Sequence, residues 1–202
     1  MAGPGEDVAA VKRAMRRTAL AARRSRTPED RIAAGAAVAR HGVAQWRGSR
    51  RVAAHLDFGT EPPMRPLLDA LAAGDTEIVI PVIDGDELDW VRYLPGGEVQ
   101  RNSLGIAEPT GTRLGAAVLD SVDVVLVPAL AVDPAGHRLG RGRGFYDRAL
   151  RRVSVPAVAI GYDDELVPAV PAEPHDRPVQ AMLRPAGYVP FLLPTEPVPD
   201  PV

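Results

Sequence analysis

A chain of 202 residues with 46% hydrophobic content and a formal net charge of −2 is long enough for one sizeable α/β core and ordinary for a soluble globular protein. It has no cysteine, which excludes disulfides, thiolate metal sites and cysteine nucleophiles. No apolar run approaches the roughly 18 residues of a membrane span, and the opening MAGPGEDVAAVKRAMRR lacks the apolar block of a signal peptide, so a cytoplasmic protein is expected.

The charge is unevenly spread. Residues 1–51 carry 12 basic and 4 acidic side chains, whereas residues 52–202 carry 12 and 22. A basic N-terminal stretch can serve nucleic acid, a phosphate-bearing ligand or the acidic remainder of its own chain. Of the 24 basic side chains 23 are arginine, and Lys12 is the single lysine. Compositional drift accounts for the arginines; the exception marks a position suited to a compact ammonium rather than a planar guanidinium.

Residues 8–24 place Val8, Val11, Met15, Ala19 and Ala22 on one helical stripe, with Asp7 as an available N-cap. Lys12 and Arg16 lie i, i+4 beside that stripe. A second helix begins with Thr27 as cap, Pro28 in the first turn and Asp30 three residues after the cap, so the first 50 residues read as mostly helical. From residue 51 the pattern changes to short apolar runs: RVAAHLDF, EIVIPVI, LDWVRYL, VDVVLVPALAVD and VPAVAIGY. Between the first two, PPMRPLLDALAAGD reads as a helix with Met64, Leu67, Leu68 and Leu71 inward and Gly74 at its end.

Strands alternating with helices predict an α/β fold: a mostly parallel, Rossmann-like open sheet with helices on both faces, behind a helical N-terminal segment. The continuous run VVLVPAL reads as its central strand. No repeat of 20–50 residues is evident. A single domain is expected over residues 1–190, with a proline-rich, extended or disordered tail over 191–202.

The stretch GHRLGRGRGFYDRAL, residues 136–150, follows the central strand and runs into a helical pattern. Its glycines therefore lie near strand carboxyl ends, where open α/β sheets bind ligands. Gly140, Gly142 and Gly144 let backbone approach a ligand closely with N–H groups turned inward, an arrangement suited to phosphate. The G-x-G-x-G pattern is neither a Walker A loop nor the dinucleotide G-x-G-x-x-G, and a glycine-rich turn with solvated arginines would use the same letters. Asp147 argues against that turn reading only if a metal ion stands between it and phosphate; a nucleotide with Mg²⁺ fits all the parts.

LGRGRGFYDR resembles the glycine-rich ATP-binding signature of the 5-formyltetrahydrofolate cyclo-ligase family. KRAMR near the N-terminus is similar to that family's Lys-x-x-x-Arg element, Glu61 falls where its substrate-binding glutamate does, and LGIAEP and PAEPHDRPV resemble two further motifs in the same order. The resemblance spans residues 8 to about 187. It implies ATP- and Mg²⁺-dependent closure of 5-formyltetrahydrofolate to 5,10-methenyltetrahydrofolate, with release of ADP and phosphate.

The resemblance also implies residue roles. Lys12 and Arg16 would reach the ATP phosphates, Gly140, Gly142 and Gly144 would cradle them beside Phe145 and Tyr146, and Arg141 and Arg143, with Lys12, would neutralise the transferring phosphoryl group. Asp147 and Asp176 would hold Mg²⁺, with His175 positioning Asp176. Glu61 would accept hydrogen bonds from the folate pterin. Tyr146, with Trp90 and Tyr93, could supply flat walls for pterin or adenine, although Trp90 reads as core packing.

Plainer readings exist for several of these residues: a solvated helix face for Lys12 and Arg16, a first-turn carboxylate for Glu61, and a satisfied turn carboxylate for Glu108. Phe145 lacks the hydroxyl of the tyrosine common in the family, Arg143 stands where lysine or glycine is frequent, and Gln180 and Arg184 replace an aspartate and a threonine. Those last two leave open a non-catalytic or altered-substrate nucleotide-binding paralogue on the same fold. A nucleic-acid module is disfavoured by the sequence pI of about 6.1 and the scarcity of aromatic residues among the N-terminal arginines. A monomer acting on small molecules is the expectation.

Overall fold

The computed structural model describes residues 7–173 and 176–192, so His175 and all but the first two residues of the expected tail lie outside the described residues. Its helices are α1 (Val8–Arg24), α2 (Pro28–Trp46), α3 (Arg65–Ala72) and α4 (Phe145–Leu150). The strands are β1 (Arg51–Ala53), β2 (Glu77–Asp84), β3 (Glu87–Arg92), β4 (Val99–Arg101), β5 (Ala107–Pro109), β6 (Val124–Pro128), β7 (Ala131–Val132), β8 (Arg138–Leu139), β9 (Ala157–Ile160), β10 (Ala181–Arg184) and β11 (Gly187–Pro190).

Seven strands form one sheet in the order β11-β10-β9-β6-β1-β2-β3. All neighbours from β10 to β2 are parallel, and the antiparallel partners β11 and β3 close the two edges. The apolar run VVLVP occupies the middle strand, β6, as its continuous hydrophobicity predicts for a strand covered on both faces. Alternation along the strands divides the core. Val52, Ile78, Ile80, Val124, Leu126, Val158 and Ile160 pack with α2 and α3, whereas Ala53, Val79, Val125, Val127, Ala157 and Ala159 pack with α4 and a 3-10 turn over Ala116–Ser121.

Asp7 caps α1 through a side-chain bond from the Ala9 amide, and Thr27 and Asp30 form a reciprocal capping box on α2. The expected stripe of α1 is only partly covered. Val8 is exposed, Met15, Ala19 and Leu20 pack on Leu130, Ala131, Leu139 and Val170, and the two buried side chains of the helix are Lys12 and Arg23. Burial on this helix is therefore set by two charges, contrary to the apolar periodicity. The run VDVVLVPALAVD divides into β6 and β7, and β4, β5, β10 and β11 have no counterpart in the apolar runs from 51 to 162.

Helix α2 lies close to the segment before α3 because Gly35 lacks a side chain: a Cβ there would stand 2.9 Å from Pro63 Cβ and 3.0 Å from the Pro63 carbonyl oxygen. Alanine would gain about 0.8–1.0 kcal/mol of helix propensity, but overpacking against backbone costs about 1–3 kcal/mol. Gly35→Ala is expected to lower the unfolding free energy in urea by about 1 kcal/mol. A rise in stability would mean that the Pro63 segment yields.

Candidate active site

At the carboxyl ends of β1, β2 and β6 the chain leaves a cleft of about 520 Å³, within the usual range for small-molecule sites. Its wall is built by the β7–β8 hairpin, which carries the chain from the end of β6 back into the glycine-rich loop. In that loop Gly142 has φ 96° and Gly144 has φ 70°, values L side chains rarely adopt, so the turn into α4 depends on glycine. Arg16 reaches it from α1, its Nε donating to the Gly140 carbonyl at 2.9 Å. Arg143 also lines the cleft, exposed, and its side chain has no hydrogen-bond partner among the described residues.

Lys12 is 6% exposed, which removes the solvated-face reading. Its Nζ donates to Glu173 Oε2 at 2.8 Å and Asp176 Oδ2 at 2.6 Å. Burial opposes the ammonium charge, but hydrogen bonds and charge from Asp176 and Glu173 outweigh it and hold the Lys12 pKa above its usual value. Asp176, for which the resemblance implies a metal, is also an acceptor of Lys12.

Glu61 is 4% exposed and also lines the cleft. Oε2 accepts the Phe58 amide at 3.0 Å, Oε1 accepts Arg141 Nε at 3.1 Å, and Arg23 Nη1 lies 3.8 Å away. Arg141 also donates to the Phe58 carbonyl at 3.1 Å, with its guanidinium 4.7 Å from the Phe58 ring centre. Glu61 is four residues before α3 and turned towards arginines, so it is not a first-turn dipole partner.

Asp147 Oδ1 accepts from Arg138 Nη2 at 2.7 Å; Arg138 also donates to the Pro128 carbonyl at 3.2 Å. Among the described residues, no three acidic or histidine side chains cluster as a metal cage. A magnesium ion carried on phosphates needs only one or two protein carboxylates. Asp147 fits that requirement: its Oδ2 has no hydrogen-bond partner among the described residues, and the residue borders the cleft.

Phe58, Phe145 and Tyr146 supply the aromatic lining. Trp90 and Tyr93 are core residues away from the cleft, and the Tyr93 hydroxyl donates to Asp69 at 2.6 Å. Burial, then the nearby Glu61 charge, raises the Tyr146 phenol. Glu108 is a satisfied carboxylate, accepting from the Ile83 amide at 2.7 Å and Asn102 Nδ2 at 2.8 Å. Gln180 accepts the Ala157 amide at 2.7 Å and Arg184 pairs with Asp163 at 3.1 Å; neither borders the cleft. Phe58 and the buried His55 belong to the cleft without having been singled out by any motif. Arg138 and Glu173 also line it; they lie inside the stretches GHRLGRGRGFYDRAL and PAEPHDRPV, which gave them no role of their own.

Fold and cleft together define an α/β protein that presents a glycine-rich loop, four arginines and the buried Glu61 carboxylate to one small-molecule cavity. The sequence profile of the 5-formyltetrahydrofolate cyclo-ligase family matches residues 8–185, and the chain belongs to that family. It is 40% identical over 182 residues to the 5-formyltetrahydrofolate cyclo-ligase of Mycolicibacterium smegmatis, covering 84% of this chain and 91% of that protein. The Escherichia coli cyclo-ligase is 33% identical over 141 residues, covering 67% and 78% respectively. The 5,10-methenyltetrahydrofolate synthetase of Aquifex aeolicus, solved by NMR, shares the fold with TM-score 0.74 and 24% identity, over 94% of this chain and 97% of that one. The synthetase of Mycoplasma pneumoniae does so with TM-score 0.68 and 18% identity, over 86% and 98%.

Beneath the cleft, His55 Nδ1 sits 3.3 Å from the Leu126 carbonyl, and burial lowers its pKa below the usual 6.5. The folded state binds a proton at this ring less readily than the unfolded chain does, so its contribution to stability is present above pH 6.5 and lost as pH falls. Urea unfolding of wild type should show this as a slope of up to roughly 1.4 kcal/mol per pH unit below that point. His55→Asn, which can still donate to Leu126, should flatten it; an unchanged slope would assign the acid sensitivity to other groups.

Proposed function

We propose that this chain closes 5-formyltetrahydrofolate to 5,10-methenyltetrahydrofolate at the expense of ATP. The observation that carries this reading is convergence: Glu61, Lys12, Arg16 and the 140–144 loop, drawn from distant parts of the sequence, border one cleft. Motif order alone does not require them to meet.

The chemical obstacle is the N5-formyl group, an amide whose carbon is a poor electrophile and whose oxygen is a poor leaving group. Transfer of the γ-phosphoryl group to the formyl oxygen removes both obstacles. N10 then attacks the carbon and gives up its proton, and the oxygen departs in inorganic phosphate. No enzyme nucleophile is needed, in keeping with a chain that has no cysteine. Positioning and charge stabilisation carry the catalysis.

In this reading Arg16 braces the glycine-rich loop and meets phosphate with Lys12, and the loop's backbone accommodates the phosphate chain. Arg143 and, once released from Glu61, Arg141 neutralise the phosphoryl group in transit. Glu61 accepts from the donor-rich edge of the pterin, and Phe58, Phe145 and Tyr146 flank the flat rings. Asp147 would hold Mg²⁺ together with nucleotide phosphates, and Asp176 would support that region through Lys12; the ion would supply neutralisation of phosphate charge. The residues that depart from the family pattern at 180 and 184 stand outside the cleft, so they give the non-catalytic alternative no support.

Protein, MgATP and 5-formyltetrahydrofolate should together yield the methenyl product, followed by its absorbance. Heavy oxygen placed in the formyl group should appear in inorganic phosphate. Product formed with unlabelled phosphate would exclude the phosphorylated intermediate, and nucleotide binding without turnover would return the paralogue reading. Asp147→Asn should raise the Mg²⁺ concentration needed for half-maximal rate roughly tenfold or more, with folate binding in the absence of nucleotide unchanged.

A further inference from the structure

Arg23, on the final turns of α1, is 1% exposed. Its Nε donates to Glu165 Oε1 at 2.6 Å and its Nη2 to Glu165 Oε2 at 2.9 Å, with Nη2 also reaching the Ala129 carbonyl. Glu165 is itself immobilised: it accepts the Tyr162 amide at 2.8 Å and packs so tightly on Gly161 that a Cβ there would lie 2.7 Å from Oε2. The guanidinium is thus fixed by a two-pronged contact on one side. Its remaining nitrogen, Nη1, is buried without a hydrogen-bond partner among the described residues and lies 3.8 Å from Glu61 Oε1. Burial works against the Arg23 charge, but Glu165, then Glu61, more than offset this.

The other cation on Glu61 is of a different kind. Arg141 has a side chain 35% exposed and stands in the loop whose turn relies on positive-φ glycines. Glu61 is consequently held by one buried, anchored guanidinium and one that borders the cleft.

We propose that Arg23 is a positioning residue for Glu61: it holds the carboxylate at the cleft wall when substrate displaces Arg141. Nη1 then completes a hydrogen bond for which it has no other acceptor among the described residues, and Arg141 becomes available to phosphate. The inference rests on the reading of Glu61 as the pterin carboxylate.

Removing one member of a buried ion pair unfolds proteins readily, whereas replacing both by apolar residues of similar volume is often tolerated. The test therefore uses Arg23→Met together with Glu165→Met, alone and combined with Glu61→Gln. Calorimetry measures 5-formyltetrahydrofolate binding without nucleotide, and circular dichroism checks each fold. Glu61→Gln should weaken binding roughly tenfold or more, the worth of a charge-assisted hydrogen bond. The paired methionine variant should lose a similar factor, and the triple variant should bind no more weakly than Glu61→Gln, because Arg23 acts only through Glu61.

Wild-type affinity in the paired variant, or a triple variant in which the two losses multiply, would overturn the proposal. Wild-type affinity for Glu61→Gln, with Arg23 intact, would overturn the pterin reading itself, and the proposal with it. Arg23→Lys runs through the same cycle and decides the matter if the methionine pair does not fold. One ammonium cannot hold both carboxylates, so its affinity should also fall; wild-type binding would count against Arg23.

Discussion

A carboxylate kept from water must be compensated or protonated, and Glu61 is held at 4% exposure. Its compensation comes from three separate parts of the chain: Arg23 on α1, the Phe58 amide after β1, and Arg141 in the glycine-rich loop. The parallel sheet supplies the means. By ending β1 and β6 on the same edge it brings the segment after β1 into contact with the loop after β8, and α1 docks on the β7–β8 hairpin and Val170 through Met15, Ala19 and Leu20. If that edge were differently ordered, Glu61 would be an unpaired buried charge.

The same economy governs the basic N-terminal stretch. Of the partners open to it, the acidic remainder of the chain takes Lys12 through Glu173 and Asp176, Arg23 through Glu165, and Arg26 through Asp164. Exposed pairs of this kind contribute little to stability, on the order of 0–1 kcal/mol. The buried ones decide position: Lys12 and Arg23 anchor α1 near its two ends, and Arg16 between them is left facing the Gly140 carbonyl. A cation that serves phosphate in the proposed reaction is therefore oriented by neighbours that serve the fold. Lys12 belongs to both groups, since its ammonium is anchored and also borders the cleft.

Local pattern was enough for much of the architecture. The capping box at Thr27 and Asp30, the inward face of α3 and the continuous apolar run of β6 each follow from spacing within a few residues. The glycine-rich loop was legible for the same reason, because the freedom to adopt the positive φ used at Gly142 and Gly144 belongs to glycine itself. The four-residue strands β10 and β11 were not legible: AMLR and GYVP are too short to show a period, and their pairing arises from the neighbouring β9 edge.

By itself the sequence determined the α/β class, most of the helices, the glycine-dependent turn and, through motif order, the family resemblance, since each is written in nearby residues. Tertiary structure alone decided that an arginine in the last turn of α1 is a buried anchor, that the lone lysine is sequestered by two acids rather than solvated, and that Tyr93 faces the core while Phe58 faces the cleft. The physical reason is range. Lys12 meets Glu173 across 161 positions and Arg23 meets Glu165 across 142, and nothing in the local alternation of polar and apolar residues records which distant charge will complete a buried one.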